Sequence, residues 1–189
     1  MDYCASYPDA KLTYTSSNMT LLNQSDASYL TASRGHSRAG GFYFLGDKHH
    51  SGRFPSNAPI HCEASILKNV MSSVAEAELG ALFENARIVI ELRTMLHEMG
   101  HPQPPTPIIT DITTAAGLTN GTLKVRRSRA INMRFHWLCD RSVQKHLDVT
   151  WAPKDFNLAD YMTKHHSPTH HKNIRPHIFH PSPVYARVC

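Results

Sequence analysis

Four carboxylates carry the chemistry that is easiest to read in this chain: Asp26 in SDASYL, Glu78 in SSVAEAELGAL, Asp111 in PIITDITTA and Asp160 in NLADYMTK. Each stands beside apolar sequence in which a strand or a helix is readable. Magnesium and manganese prefer hard oxygen ligands, and a few carboxylates with water and phosphate oxygens satisfy them. Two such ions about 4 Å apart can activate a water and stabilise the leaving oxygen of a phosphodiester displaced in line. That chemistry requires carboxylates from distant parts of a chain to converge.

The chain has 15 acidic residues, and an isolated one is ordinarily a solvated surface group. Asp26 and Asp111 resist that reading because both end apolar, strand-like runs, where a bare charge needs a partner. Glu76 and Glu78 both fall in the first turn of a long predicted helix. Two positions apart on a helix is about 200°, so they cannot face one site. Glu76 stands three residues after Ser73, the spacing of a capping box, which leaves Glu78 as the better ligand. Asp160 borders Leu158, Ala159 and Met162 and so lies at the edge of a packed face.

The positioning elements follow from periodicity and punctuation. MTLLNQSDASYL, SRAGGFYFLGD and PIHCEASIL read as three strands, and Gly40-Gly41 with Gly46 read as the punctuation of antiparallel hairpins. Apolar residues at helical spacing from Leu79 to Met99 give the long helix, capped by Ser73 and stopped at Gly100. After the proline-rich link HPQPPTP, the run PIITD reads as a short buried strand and TTAAGL as a short helix. INMRFHWLCDRSVQKH reads as a helix, LDVTWAP as a strand and NLADYMTK as a closing helix. From Lys164 onward the His- and Pro-rich sequence reads as irregular. The expected organisation is a polar leader over 1–18, a domain over 19–165 and a tail over 166–189. Hairpins followed by alternating helices and strands imply an α/β mixed sheet with helices on its faces.

Composition narrows the class. A hydrophobic fraction of 41% supports a real core, and a formal charge of +5 is compatible with a polyanionic partner. Cys4, Cys62, Cys139 and Cys189 form no CxxC pair, which disfavours a zinc module or a disulfide framework. The start MDYCASYPDAK lacks the features of a signal peptide, and no apolar run approaches the roughly 18 to 20 residues of a membrane span. These features imply an intracellular protein, cytoplasmic or nuclear, not secreted and without a membrane partner. No nucleophile elbow supports a Ser/His/Asp triad.

Linked motifs say more than spacing can. SDASYL, SRAGGFYF, NVMSSVAEAELGALFENAR, EMGHPQPPTPIITD, RSRAINMRFHWL and NLADYMTKHH stand in one order from about residue 6 to about residue 177. Together they resemble the ribonuclease H domain of copia-type retrotransposon Pol polyproteins, which also carry a reverse transcriptase. The resemblance implies a ribonuclease H-like fold, a five-stranded mixed sheet flanked by helices. It implies hydrolysis of the RNA strand of RNA/DNA hybrids with two Mg2+ ions, or Mn2+. It also implies metal-binding acids at Asp26, Glu78, Asp111 and Asp160, with Asp26 and Asp111 holding the ions at the sheet. Ile112 stands where the family commonly has Asn, and Asn132 where an acid is frequent. No histidine lies between Trp151 and Asp160, where some relatives of this fold carry a mobile one; His165 and His166 are alternatives.

Lys124, Arg126, Arg127 and Arg129, with Arg34 and Arg38 flanking the first hairpin, are the candidate contacts to a hybrid's phosphates; a solvated basic face is the competing reading. His136 reads either as a substrate contact or as packed beside Trp137. The tail KHHSPTHHKNIRPHIFH has imidazoles for a transition metal but matches no standard spacing. A catalytically inactive module of the same fold, binding nucleic acid or a reverse transcriptase domain, is the alternative. A transposase or integrase core is disfavoured by the acidic order Asp, Glu, Asp, Asp.

Overall fold

Residues 5–8, 10–47, 57–111 and 129–179 are described by a computed structural model of the chain. Five strands form one mixed sheet: β1 (Thr20–Ser28), β2 (Arg38–Gly46), β3 (His61–Ile66), β4 (Thr106–Thr110) and β5 (Leu147–Trp151). Their spatial order is β3-β2-β1-β4-β5. β1, β2 and β3 pair antiparallel, as two hairpins, whereas β4 joins β1 and β5 joins β4 in parallel. β1 is therefore central, and every one of its nine residues is buried.

The described α-helices that cover the sheet and its edge are α1 (Val74–Glu98), α2 (Arg129–Val143), α3 (Asp160–Thr163) and α4 (Pro168–Ile178). Alternation along β1 sends Leu21 toward α1 and α2, where it packs with Leu82, Ala86, Val89, Phe135 and Leu138. Leu22, on the opposite face, packs with Phe42, Phe44, Leu158 and Ile178. Each such buried side chain contributes roughly 1.5–3 kcal/mol. A sheet covered on both faces explains why a central strand can carry Asn23, Gln24, Ser25 and Asp26 in a row: each polar group must find a partner inside the protein.

α1 begins as its sequence predicts. Ser73 is the N-cap, and its hydroxyl accepts from Glu76 N at 3.2 Å. The Glu76 carboxylate turns back to accept from Ser72 N at 2.7 Å rather than from Ser73, so it is occupied locally.

Two sequence expectations are corrected. Gly40 and Gly41 do not punctuate a hairpin; they lie inside β2. A Cβ on Gly40 would come within 2.7 Å of Ala159 O, and one on Gly41 within 2.0 Å of Asn85 Oδ1. The pair thus lets α3 close on one face and α1 on the other. The segment after Lys164 is not wholly irregular either, because α4 forms there. Ser167 caps it through a 3.2 Å bond from His170 N, Pro168 begins it, and Ile178 is buried against the sheet. The short helix expected around TTAAGL lies outside the described residues.

Candidate active site

β1 and β4 set the first two carboxylates. Asn23 pairs with Ile108 and Gln24 with Ile109. Two residues further along this parallel register, Asp26 on β1 comes abreast of Asp111, the residue that follows β4. Trp151 Nε1 donates to the Asp111 carbonyl at 3.0 Å and holds that strand end in place. Glu78 is the fifth residue of α1, one turn beyond the cap.

Asp160 is brought in by an interlocked set of hydrogen bonds to β1. Gln24 accepts from Leu158 N at 2.9 Å and donates to Phe156 O at 3.1 Å. Asn157 donates to Ser25 O at 2.8 Å and accepts from Ala159 N at 3.2 Å. Beyond Asp160, Ser28 donates to Thr163 O at 2.8 Å, and Thr163 Oγ1 donates to Asp26 Oδ2 at 2.6 Å. The polar side chains of β1 are thus the fastening for α3. On the other face, Asn85 of α1 donates to Ser25 Oγ and to Gly40 O, both at 2.9 Å, and accepts from Tyr43 Oη at 2.6 Å.

Asp26 lies within electrostatic reach of Asp111 and Asp160, and Glu78 within reach of Asp111 and Asp26. Among the described residues, the four carboxylates do not form a group with ligand atoms within 4.8 Å of one another. Burial pushes the Asp26 carboxyl up to about 6, a rise that Thr163 and Lys164 oppose and that Asp111 and Asp160 reinforce. Burial likewise raises Glu78 to about 7, with Asp111 and Asp26 adding to it. For Asp160 burial acts upward, but the hydrogen bond and charge of Lys164, with Lys154, outweigh it and hold the carboxyl below its ordinary value. Asp26 and Asp160 are only 5% and 7% exposed, so water does little to screen this repulsion.

Two observations test whether the residues fit a hard divalent cation. Among the described residues, Asp111 Oδ1 is buried without a hydrogen-bond partner, an acceptor that a cation would satisfy. A positive charge already lies between two of the acids: Lys164 pairs with Asp160 Oδ1 and its Nζ is 4.0 Å from Asp26 Oδ2. Lys154 adds a second ammonium 3.3 Å from Asp160 Oδ1. An all-oxygen set with excess negative charge suits Mg2+ or Mn2+.

Lys154, Thr163 and Lys164 are site residues that sequence reasoning missed. Lys164 was detectable, because it follows Asp160 at the i,i+4 spacing of helical ion pairs. The basic candidates separate. Arg38, at the start of β2, lines a groove with Thr31, Met162, Thr163, Lys164 and His165, beside the acids. Arg34 is exposed in the β1–β2 connection with φ 58°. Lys124, Arg126 and Arg127 lie outside the described residues, as does Ile112, and Arg129 opens α2. His136 is exposed and its ring meets Phe135 edge-on with centroids 5.5 Å apart, whereas Trp137 packs edge-on against Phe83 with ring centroids 5.2 Å apart.

Comparison with known proteins matches this architecture. No protein-family model matches the chain. Over 109 residues, 58% of its length, it is 28% identical to a retrovirus-related Pol polyprotein from transposon TNT 1-94 of Nicotiana tabacum. It spans about 8% of that polyprotein's length. Among solved structures, LC11-RNase H1, isolated from compost and crystallised in complex with an RNA/DNA hybrid, superposes with a TM-score of 0.53 at 14% identity. That match covers 76% of this chain and 94% of the other. The N-terminal RNase H domain of a Mycobacterium tuberculosis protein gives 0.52 at 12% identity, covering 77% and 91%. RNase H1 of Halobacterium salinarum gives 0.51 at 12%, covering 76% and 94%. The chain has the ribonuclease H-like fold, and its sequence is similar to part of a retrotransposon Pol polyprotein.

Proposed function

We propose that the chain is a ribonuclease H-type hydrolase that cleaves the RNA strand of RNA/DNA hybrids, with Mg2+ or Mn2+ held by Asp26, Glu78, Asp111 and Asp160. The observation that supports this reading is the repulsion of Asp26 by Asp111 and Asp160 and of Glu78 by Asp111 and Asp26, with Asp26 raised to about 6 and Glu78 to about 7, beside the unpartnered Asp111 Oδ1. When bound, the divalent ions supply charge neutralisation and a water acidic enough to attack phosphorus at neutral pH.

The chain's own residues do the positioning. Asp26 and Asp111 offer their oxygens from adjacent strand ends, and Glu78 and Asp160 approach from α1 and α3. Thr163 restrains the rotamer of Asp26 by donating to Oδ2, which leaves Oδ1 for an ion. Lys164 and Lys154 offset the acids' charge and can shift toward a phosphate oxygen as substrate enters. Arg38 lies in the adjoining groove and Arg34 is exposed in the β1–β2 connection, and either can bind backbone phosphate. Lys124, Arg126, Arg127 and Arg129 are proposed as further phosphate contacts. Discrimination of RNA from DNA must include 2′-hydroxyl contacts.

One observation favours a second reading. Lys164 already supplies a cation between Asp26 and Asp160, as it would in a module that binds hybrid, or a reverse transcriptase domain, without cutting. Incubation with end-labelled hybrid, single-stranded RNA and duplex DNA in Mg2+ tests both readings. Shortened RNA from the hybrid alone is the expected result; retained hybrid affinity with intact RNA at every Mg2+ and Mn2+ concentration would replace the hydrolase by the binding module.

A further inference from the structure

We propose that Asp160, His166 and His170 form a second cation site, selective for a borderline transition ion such as Zn2+, Ni2+ or Co2+ and joined to the acidic centre through Asp160. Each of the three offers one ligand atom, and these atoms all lie within 4.8 Å of one another. His166 Nε2 is 3.1 Å from Asp160 O and 3.9 Å from Asp160 Oδ2. Ligand atoms around one ion with bonds near 2 Å are separated by roughly 3–3.5 Å. Closing the set requires His166 Nε2 to exchange its bond to Asp160 O for the ion and the two stacked imidazoles to turn their nitrogens toward it.

Local structure holds the three residues in place. Asp160 is the first residue of α3, locked to β1 through Asn157 and Gln24. His170 is the third residue of α4, and its backbone N–H is bound by the Ser167 cap at 3.2 Å. His166 stacks with two rings, Tyr161 with centroids 5.3 Å apart at 6° and His170 at 4.2 Å and 18°. Both histidines are half-buried, and an open pocket lined by Tyr161, Lys164, His165, His166, Pro168 and His171 reaches His166 from solvent.

Donor chemistry separates this site from the acids beside it. Two imidazoles and one carboxylate suit Zn2+, Ni2+ and Co2+, which bind nitrogen well, and leave a coordination position open for water. Mg2+ takes oxygen and is reluctant to accept imidazole. Asp160 belongs to both sets, so an ion on the histidine side draws its carboxylate away from Lys164 and from the acidic centre. Resting on the hydrolase reading, the consequence for activity is that Zn2+ inhibits at concentrations where Mg2+ is saturating, and does so through His170.

The test uses the untagged chain, freed of metal. Co2+ and Zn2+ are titrated by calorimetry and Co2+ also by visible absorption, for the wild type, His166→Ala, His170→Ala and His170→Asn. The wild type is expected to bind one tight equivalent with Co2+ bands of nitrogen ligation. Loss of either imidazole is expected to weaken binding by at least about tenfold, since even outer-shell changes commonly cost that much. Circular dichroism and melting of His170→Asn separate loss of a ligand from loss of the fold. Equal affinity in the wild type and in all folded histidine variants overturns the site. If hybrid cleavage is measured alongside, His170→Ala is expected to keep Mg2+-dependent turnover and lose Zn2+ inhibition. If no cleavage occurs at all, the hydrolase reading fails and the binding titration still decides this one.

Discussion

Gly40 stands directly opposite Asp26 in the β1–β2 ladder, and the space its side chain would fill is taken by α3. A Cβ there would meet Thr163 Cγ2 at 2.6 Å as well as the Ala159 carbonyl, which is backbone and cannot swing aside. Gly40→Ala is therefore expected to cost roughly 1–3 kcal/mol, as overpacking of a closed interior does. For a chain of this size that lowers the melting temperature by several degrees. Hybrid cleavage should fall further than stability does, because the displaced helix carries Asp160. An unchanged melting curve would show that α3 is not seated on Gly40.

The pH dependence of the metal-free protein follows from two raised carboxyls. Asp26 at about 6 and Glu78 at about 7 both favour the protonated form in the fold. Their contribution is fully present below the ordinary carboxylate range and is lost as pH climbs from about 4 through about 7. The 5% exposed Asp26 accounts for roughly 2–3 kcal/mol of that loss at one pKa unit per 1.36 kcal/mol. Melting in a chelator should drop between pH 5 and pH 8, and Asp26→Asn should flatten the drop. Mg2+ competes with those protons, so it should raise the melting temperature more at pH 8 than at pH 5. An equal Mg2+ effect at both pH values would contradict a site built on Asp26 and Glu78.

Lys164 contests the same oxygens. Its ammonium, paired with Asp160 and 4.0 Å from Asp26, must move or share when a divalent ion binds. Lys164→Met is expected to lower the Mg2+ concentration for half-maximal effect several-fold and to destabilise the chelated protein, where the acids then repel unopposed. Calorimetric titration of Mg2+ into both proteins checks this. Weaker Mg2+ binding in the variant would instead make Lys164 a supporting group for the ion's ligands.

Arg38 is placed to meet substrate backbone beside Lys164 and His165. Arg38→Ala should weaken hybrid binding across all sequences and reduce the slope of log affinity against log salt by about one phosphate contact. Filter binding at several salt concentrations measures the slope; an unaltered slope removes Arg38 from the interface.

Much of this architecture is legible in the sequence because its signals are local. Asp111 was conspicuous as a charge following an apolar strand and Asp26 as a charge toward the end of another strand, and Ser73 with Glu76 marked the start of α1. Glu78 could be preferred over Glu76 because helix geometry keeps the two from facing one site and the cap occupies Glu76. Non-local causes stayed hidden. Gly40 and Gly41 resemble turn residues until both faces of β2 are known to carry helices. The Ser167-Pro168 start of α4 is an ordinary cap signal, masked by the surrounding histidines and prolines. Gln24 and Asn157 gave no sequence cue, since a buried amide that fastens one segment to another acquires its meaning from the partner.

The account's central claim is tested most directly by Asp26→Asn beside the wild type on an RNA-labelled hybrid in Mg2+, with hybrid affinity measured in parallel. The substitution keeps the shape of the side chain and its acceptor for Thr163 while removing the charge. Cleavage by the wild type and its abolition in a variant that is folded and binds hybrid is the predicted result. Turnover unchanged in Asp26→Asn would contradict the assignment of the site.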